Sequence, residues 1–141
     1  MNRPKTFIAA LCLSACLTPI AAAGTVEIQL ENVKQIEGQV MIALFANEED
    51  WKSSDGMDGR IVPVTSEQVS ATFSDVPEGT YAIRLFHDVD GDGSLKTGRF
   101  GIPSEPYGFS NNAPVRFGPP KFKAASFTVG AEPVTQIIKL K

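Results

Sequence analysis

The chain is poor in the residues that most often carry chemistry: 2 cysteines, 1 histidine and 1 tryptophan in 141 residues. Both cysteines, Cys12 and Cys16, fall in an N-terminal stretch that reads as a leader. With that stretch removed, no disulfide, thiol nucleophile or thiolate metal site is possible. A lone histidine, His87, excludes a zinc site built on two imidazoles. No serine sits in a nucleophile-elbow context. After the leader no apolar run reaches bilayer-spanning length, so no transmembrane segment is expected in the mature chain. Positive charge is scarce as well. The whole chain has 13 basic and 16 acidic residues, and setting aside Arg3 and Lys5 leaves 11 against 16, a net charge of −5. A mildly acidic surface repels phosphates, which argues against nucleic acid as a partner. It is compatible with a cation site.

What is present begins with a compartment. Arg3 and Lys5 precede an apolar run from Phe7 to Leu17, Pro19 ends it, and Ala21 to Ala23 offers the small-x-small pattern of a signal peptidase site. Residues 1–23 are expected to be a signal peptide and residues 24–141 one exported domain, periplasmic or secreted. Leu13-Ser14-Ala15-Cys16 also fits a bacterial lipobox, whose cysteine would be lipidated and hold the domain to a membrane. The proline followed by three alanines favours ordinary cleavage. Taking 23 from 141 leaves 118 residues, enough for one domain with its own core.

The mature chain is written largely in period two. Thr25 to Glu31 alternates apolar and polar, as a strand with one wet face does. Gln39 to Ala46 (QVMIALFA) is a continuous apolar run, expected of a central strand buried on both sides. Ile61 to Thr65 reads as an edge strand, because Pro63 cannot donate to an inner ladder. Val69, Ala71 and Phe73 alternate up to a turn at Asp75 to Gly79, and Tyr81, Ile83 and Leu85 continue beyond it. Ser126 to Val129 and Val134 to Leu140 read as two more strands about a Gly130 to Pro133 turn. Glu48 to Ser53 is the single helical candidate. About seven strands and one helical turn predict an all-β, antiparallel two-sheet sandwich. The stretch from Phe73 to His87 resembles hairpins of prealbumin-like and immunoglobulin-like modules, a likeness that carries no function.

Residues 88–122 lack a strand pattern, and connections of that length inside a compact domain are usually functional or disordered. Phe100, Tyr107, Phe109, Phe117 and Phe122 argue for order, since disordered segments are poor in aromatics. The expectation is a rigid Gly/Pro/aromatic loop, anchored by its rings. HDVDGDGSLKTG (His87 to Gly98), GIPSEPYGFSNNA (Gly101 to Ala113) and RFGPPKF (Arg116 to Phe122) closely resemble, in that order, the signature of a secreted bacterial family known only as domain of unknown function 2141. The resemblance covers nearly the whole mature chain. It implies an extracytoplasmic β-sandwich and supplies no activity.

Asp88, Asp90, Asp92 and the Ser94 carbonyl have the one-three-five-seven spacing of a calcium loop, with Gly93 at its sharp turn. Lys96 and Arg99 stand where the ninth and twelfth ligands belong, so the loop is not an EF-hand. A further calcium ligand would come from farther away, for example Glu105. The alternative is a solvated Asp/Gly turn. His87 beside Asp88 is the one pair on which a hydrolase reading could rest. Neighbours on a strand point to opposite faces, so a structural role is expected, a ring nitrogen bonding the long loop. Tyr107, Phe109, Asn111 and Asn112 are candidate ligand-binding residues, since aromatics stack on sugars and amides bond hydroxyls. The same residues can instead anchor the loop and cap its turns. Trp51 is core or a surface anchor, and Arg84, Arg116, Lys121 and Lys123 form a candidate basic patch. Without a complete catalytic set, the expectation is a non-enzymatic module that binds an envelope protein or glycan, with calcium-dependent ligand binding as the alternative.

Overall fold

The computed structural model describes residues 23–141, so the expected leader, apart from Ala23 at the start of the first strand, and the lipobox-like Leu13 to Cys16 lie outside the described residues. Strands β1 (Ala23–Glu31), β2 (Gln39–Phe45), β3 (Asp58–Pro63), β4 (Ser70–Pro77), β5 (Gly79–Asp88), β6 (Tyr107–Phe109), β7 (Phe127–Val129) and β8 (Val134–Lys139) are joined by two short helices, α1 (Glu48–Ser53) and α2 (Phe122–Ala125). The strands form two sheets, one ordered β4-β1-β8 and the other β3-β2-β5-β6, with β7 also pairing β5. Their apposed faces make the all-β sandwich the alternating pattern implies.

The alternation decides which face is buried. Val26, Ile28 and Leu30 of β1 meet Val40, Ile42 and Leu44 of β2, Ile83 and Leu85 of β5 and Ile138 of β8 in one core. Phe73 is fully buried there; such a ring is worth about 3–5 kcal/mol relative to alanine. The continuous apolar run of β2 has the expected cause: its other face, Ala43 and Phe45, is covered as well, by Trp51 of α1 and residues near α2. Helix α1 starts where Asn47 accepts the Asp50 N–H at 2.9 Å and stops at Ser54, which takes a left-handed conformation. An asparagine cap at one end and a left-handed residue at the other satisfy main-chain groups the short helix cannot pair itself.

Three features differ from the sequence reading. The β1–β8 pair is parallel, from Val26 opposite Val134 to Glu31 opposite Lys139, while the other ladders are antiparallel. The stretches on either side of the two turns are not hairpins. Strand β4 pairs with β1 whereas β5 pairs with β2, so the connection at Pro77 to Gly79 crosses between sheets. The Tyr81 hydroxyl donates to the Pro77 carbonyl at 2.9 Å and pins that corner. Strands β7 and β8 are likewise split between β5 and β1. Finally, an eighth strand, β6, lies inside the segment read as loop. Its inward residue is Gly108, where a Cβ would lie 2.6 Å from Ile138 Cγ2. Close approach of the other sheet requires glycine there, and glycine erases the apolar alternation.

Candidate functional site

The acidic loop leaves β5 at Asp88, which is fully buried on the outer face of the sheet. Its carboxylate accepts the Gln39 amide at 2.9 Å and the backbone N–H groups of Asp92 at 3.1 Å and Gly93 at 2.9 Å. The Gln39 bond foremost, aided by the Gly93, Gly91 and Asp92 amides, holds the Asp88 carboxyl below its ordinary range against the opposing effect of desolvation. Hydrogen bonds to the charged form favour that form. Glu105 is buried and clamps the same loop, accepting the Val89 N–H and the Lys96 N–H, each at 3.0 Å. Asp90 pairs with the Lys96 ammonium, which also lies 3.6 Å from Asp92. Asp88, Asp90 and Glu105 each bring one oxygen within 4.8 Å of the others. The distant ligand candidate, Glu105, therefore joins two of the candidate aspartates. The Asp92 carboxylate is not part of that group; it accepts the Ser94 N–H at 2.9 Å.

His87 is buried on the opposite, core-facing side from Asp88. Its Nε2 meets the Glu37 carbonyl at 2.7 Å. A carbonyl oxygen only accepts, so this nitrogen carries the proton and donates. Nδ1 has no partner. The expectation that the ring would bond the long loop is corrected: the ring holds the β1–β2 connection, and only the His87 main-chain N–H reaches the long segment, at the Pro106 carbonyl, 2.7 Å away.

The four candidate ligand residues separate into two pairs. Asn111 and Asn112 both adopt positive φ, at 57° and 49°. Asparagine tolerates that left-handed conformation. The Asn112 amide donates to the Ile137 carbonyl at 2.9 Å and its oxygen accepts the Lys139 N–H at 2.8 Å, so the side chain pairs with the edge of β8 as a strand would. The Asn111 amide donates to the Ser126 carbonyl at 2.6 Å. Both asparagines are spent on the backbone. Tyr107 and Phe109, by contrast, pack on the outer face of β5 with rings 5.9 Å apart.

Trp51 is core, not surface. It packs against Phe45, Phe109 and Phe122, and its indole N–H donates to the Pro120 carbonyl at 2.9 Å. The Arg84 guanidinium lies 4.4 Å from the Trp51 ring centroid, where the electron-rich ring face attracts a cation. It also donates to the Trp51 carbonyl and the Ser54 hydroxyl, both at 2.9 Å. No carboxylate pairs with it among the described residues.

Beside this cluster runs a groove of about 880 Å³, floored by Arg84, Phe86, Tyr107 and Phe109. One wall comes from a small arm in which Gly98 N–H donates to Ile102 O at 2.7 Å and Ser104 N–H to Lys96 O at 2.8 Å. Phe100 is at the arm's tip, at a φ of 64°. The other wall carries Phe117. The two phenyl rings are 97% and 108% exposed and Ile102 is 63% exposed, so these rings do not pin the segment as expected; Tyr107, Phe109 and Phe122 do. Each exposed ring lies within the same tripeptide, Arg-Phe-Gly, at Arg99 to Gly101 and Arg116 to Gly118. Both glycines have positive φ, 71° and 126°. That conformation, open to glycine, turns the chain back at each tip. The repeat is visible in the sequence and is the signal that would have found the groove. Arg84, Arg116 and Lys141 line it, with no carboxylate side chain among the lining residues. Of the candidate basic patch, Lys121 lines a neighbouring depression with Arg84 and Lys52.

The model of the family described as an uncharacterized protein conserved in bacteria, DUF2141, matches residues 28–137. No curated protein matches, and neither does any solved structure.

Proposed function

The chain belongs to the DUF2141 family, whose description states no activity, and from the site alone we propose that it is an exported, non-catalytic binding module of the bacterial envelope whose ligand occupies the groove between the two Arg-Phe-Gly tips. One observation carries this reading: two phenylalanines left almost wholly in water on one groove of a well-packed domain. Exposed apolar clusters of this kind mark interaction sites, whereas isolated exposed apolar residues do not. The leader-like N-terminus supports export. The chemistry of the lining, rings and aliphatic groups beside cations, fits a ligand that is apolar and negatively charged. It fits a neutral glycan less well, because the Asn111 and Asn112 amides are occupied. The test places a photoreactive phenylalanine at Phe117, at Phe100 or, as control, at the exposed Ile61 of β3, and irradiates the protein with bacterial envelope fractions. Adducts from the two tips in clear excess over Ile61 are expected. Equal labelling from all three positions removes the reading.

A second reading, calcium-dependent binding, is favoured by the convergence of Asp88, Asp90 and Glu105. A calcium ion would compete with the Lys96 ammonium for Asp90. On this reading millimolar calcium raises the melting temperature, and Lys96→Gln enlarges the rise. A melt that calcium leaves unchanged in both proteins disposes of it.

A further inference from the structure

The groove's occupant follows from how its apolar and cationic groups are arranged, an inference that rests on the groove being the binding site. We propose that the Phe100 and Phe117 tips dock the domain on the surface of an anionic phospholipid bilayer. The rings sit at the boundary between headgroups and acyl chains, and Arg99 and Arg116 sit on the lipid phosphates.

Three observations converge on a bilayer. The rings are 97% and 108% exposed, so they have essentially no protein neighbours to leave on entering lipid. Each is preceded directly by an arginine and followed by a glycine at positive φ, which puts ring and cation on one tight turn. An apolar ring and a cation on neighbouring residues are satisfied together at the headgroup boundary of a membrane. The core of a protein interface is instead depleted of charged residues. Third, the charge is complementary where it matters. Residues 24–141 carry 11 basic and 16 acidic groups, yet the groove is lined by Arg84, Arg116 and Lys141 and by no acidic side chain. Arg99 and Arg116 form no ion pair among the described residues, so both remain available to phosphates. The Lys96 ammonium offsets one of the four carboxylates of the acidic loop, and none of Asp88, Asp90, Asp92 and Glu105 lines the groove.

Flotation with vesicles tests the proposal. The wild-type protein is expected to float with vesicles rich in phosphatidylglycerol and to stay behind with vesicles of phosphatidylcholine alone. Salt at about 1 M, where screening acts over about 3 Å, releases it. Phe100→Ser with Phe117→Ser weakens the apparent affinity at least about tenfold. Arg99→Gln with Arg116→Gln weakens it on the order of tenfold. All four side chains are exposed, so unchanged melting temperatures confirm that the variants are folded. Failure of the wild-type protein to float, or flotation untouched by loss of both rings, overturns bilayer docking. If flotation fails while Phe117 still crosslinks a discrete envelope protein, the groove is a binding site with a proteinaceous occupant. If flotation and tip-specific crosslinking fail together, the groove reading falls too.

Discussion

Ser110 shows how much a single side chain can hold. It is fully buried, and its hydroxyl accepts the Ile83 N–H at 2.8 Å while donating to the Ala125 carbonyl at 2.5 Å. Strand β5, the turn after β6 and helix α2 thus meet on one oxygen. Removing it strands a donor and an acceptor, each costing about 1–3 kcal/mol when buried without a partner. Ser110→Ala is expected to lower stability by about 2–4 kcal/mol in urea unfolding, well outside the scatter of ordinary surface changes. Asp88 acts through charge. Its folded pKa lies below the ordinary value of 3.8, with the Gln39 bond the largest cause. A carboxyl depressed in the folded state contributes stability that is complete above its unfolded value and is lost as pH falls through the lower folded one. Wild-type melting temperature should therefore drop as pH is taken below 3.8. Asp88→Asn should melt lower than wild type at neutral pH and follow a flatter acid limb. Parallel acid limbs in melts across pH would show that Asp88 does not carry this linkage.

At the scale of elements, Trp51 ties a short helix to the far end of the long segment. Trp51→Phe preserves an aromatic ring and deletes the N–H that the Pro120 carbonyl accepts. The expected loss is about 1–2 kcal/mol, with faster exchange at the Ala124 amide, whose bond to the Lys121 carbonyl lies just past Pro120. Uniform acceleration across the sheet would mean that the bond secures no particular element. The same scale shows what could be read in advance. Strands β1, β4 and β5 announced themselves by alternation and β2 by its continuous apolar run, because their inner faces carry Val, Ile, Leu and Phe. Helix α1 was legible from its local sequence, as was the edge position of β3 from Pro63. Strand β6 was not, because Gly108 replaces the one inward side chain that would have marked it. Nor was the assignment of β4 and β5 to different sheets, since alternation fixes a face and says nothing about a partner. Asn112 stands in for a strand against β8 at a sequence separation of 25, and no local pattern encodes that. In the site, Glu105 could be named as a distant partner of the aspartates, but its capping of two loop amides belongs to the folded state. Phe100 and Phe117 were misread because rings in an ordered segment are ordinarily buried; the repeated Arg-Phe-Gly was the signal pointing the other way.

For the whole molecule, the question is whether residues 89–122 are an appendage or part of the sandwich. Main-chain bonds answer it. His87 N–H donates to Pro106 O at 2.7 Å, and Lys141 N–H donates to Tyr107 O at 3.0 Å. Strand β6 completes the outer edge of its sheet, and Gly108 sits against Ile138 of the opposite sheet. The segment therefore contributes to both layers, and only its two tips are free of the core. Excision and tip substitution should differ sharply. Deleting residues 101–120 removes β6, the Ser110 hydroxyl and the Pro120 carbonyl together, exposing Phe45, Trp51 and Ala82 to water. That variant is expected to lose its cooperative thermal transition. Phe100→Ser with Phe117→Ser touches neither sheet and should melt within about 2 °C of wild type, the range of neutral surface changes. Scanning calorimetry of the three proteins decides between the alternatives. A deletion variant that melts as one sharp transition near the wild-type temperature would make the segment a dispensable loop, and the fixed spacing of the two tips would lose its physical basis.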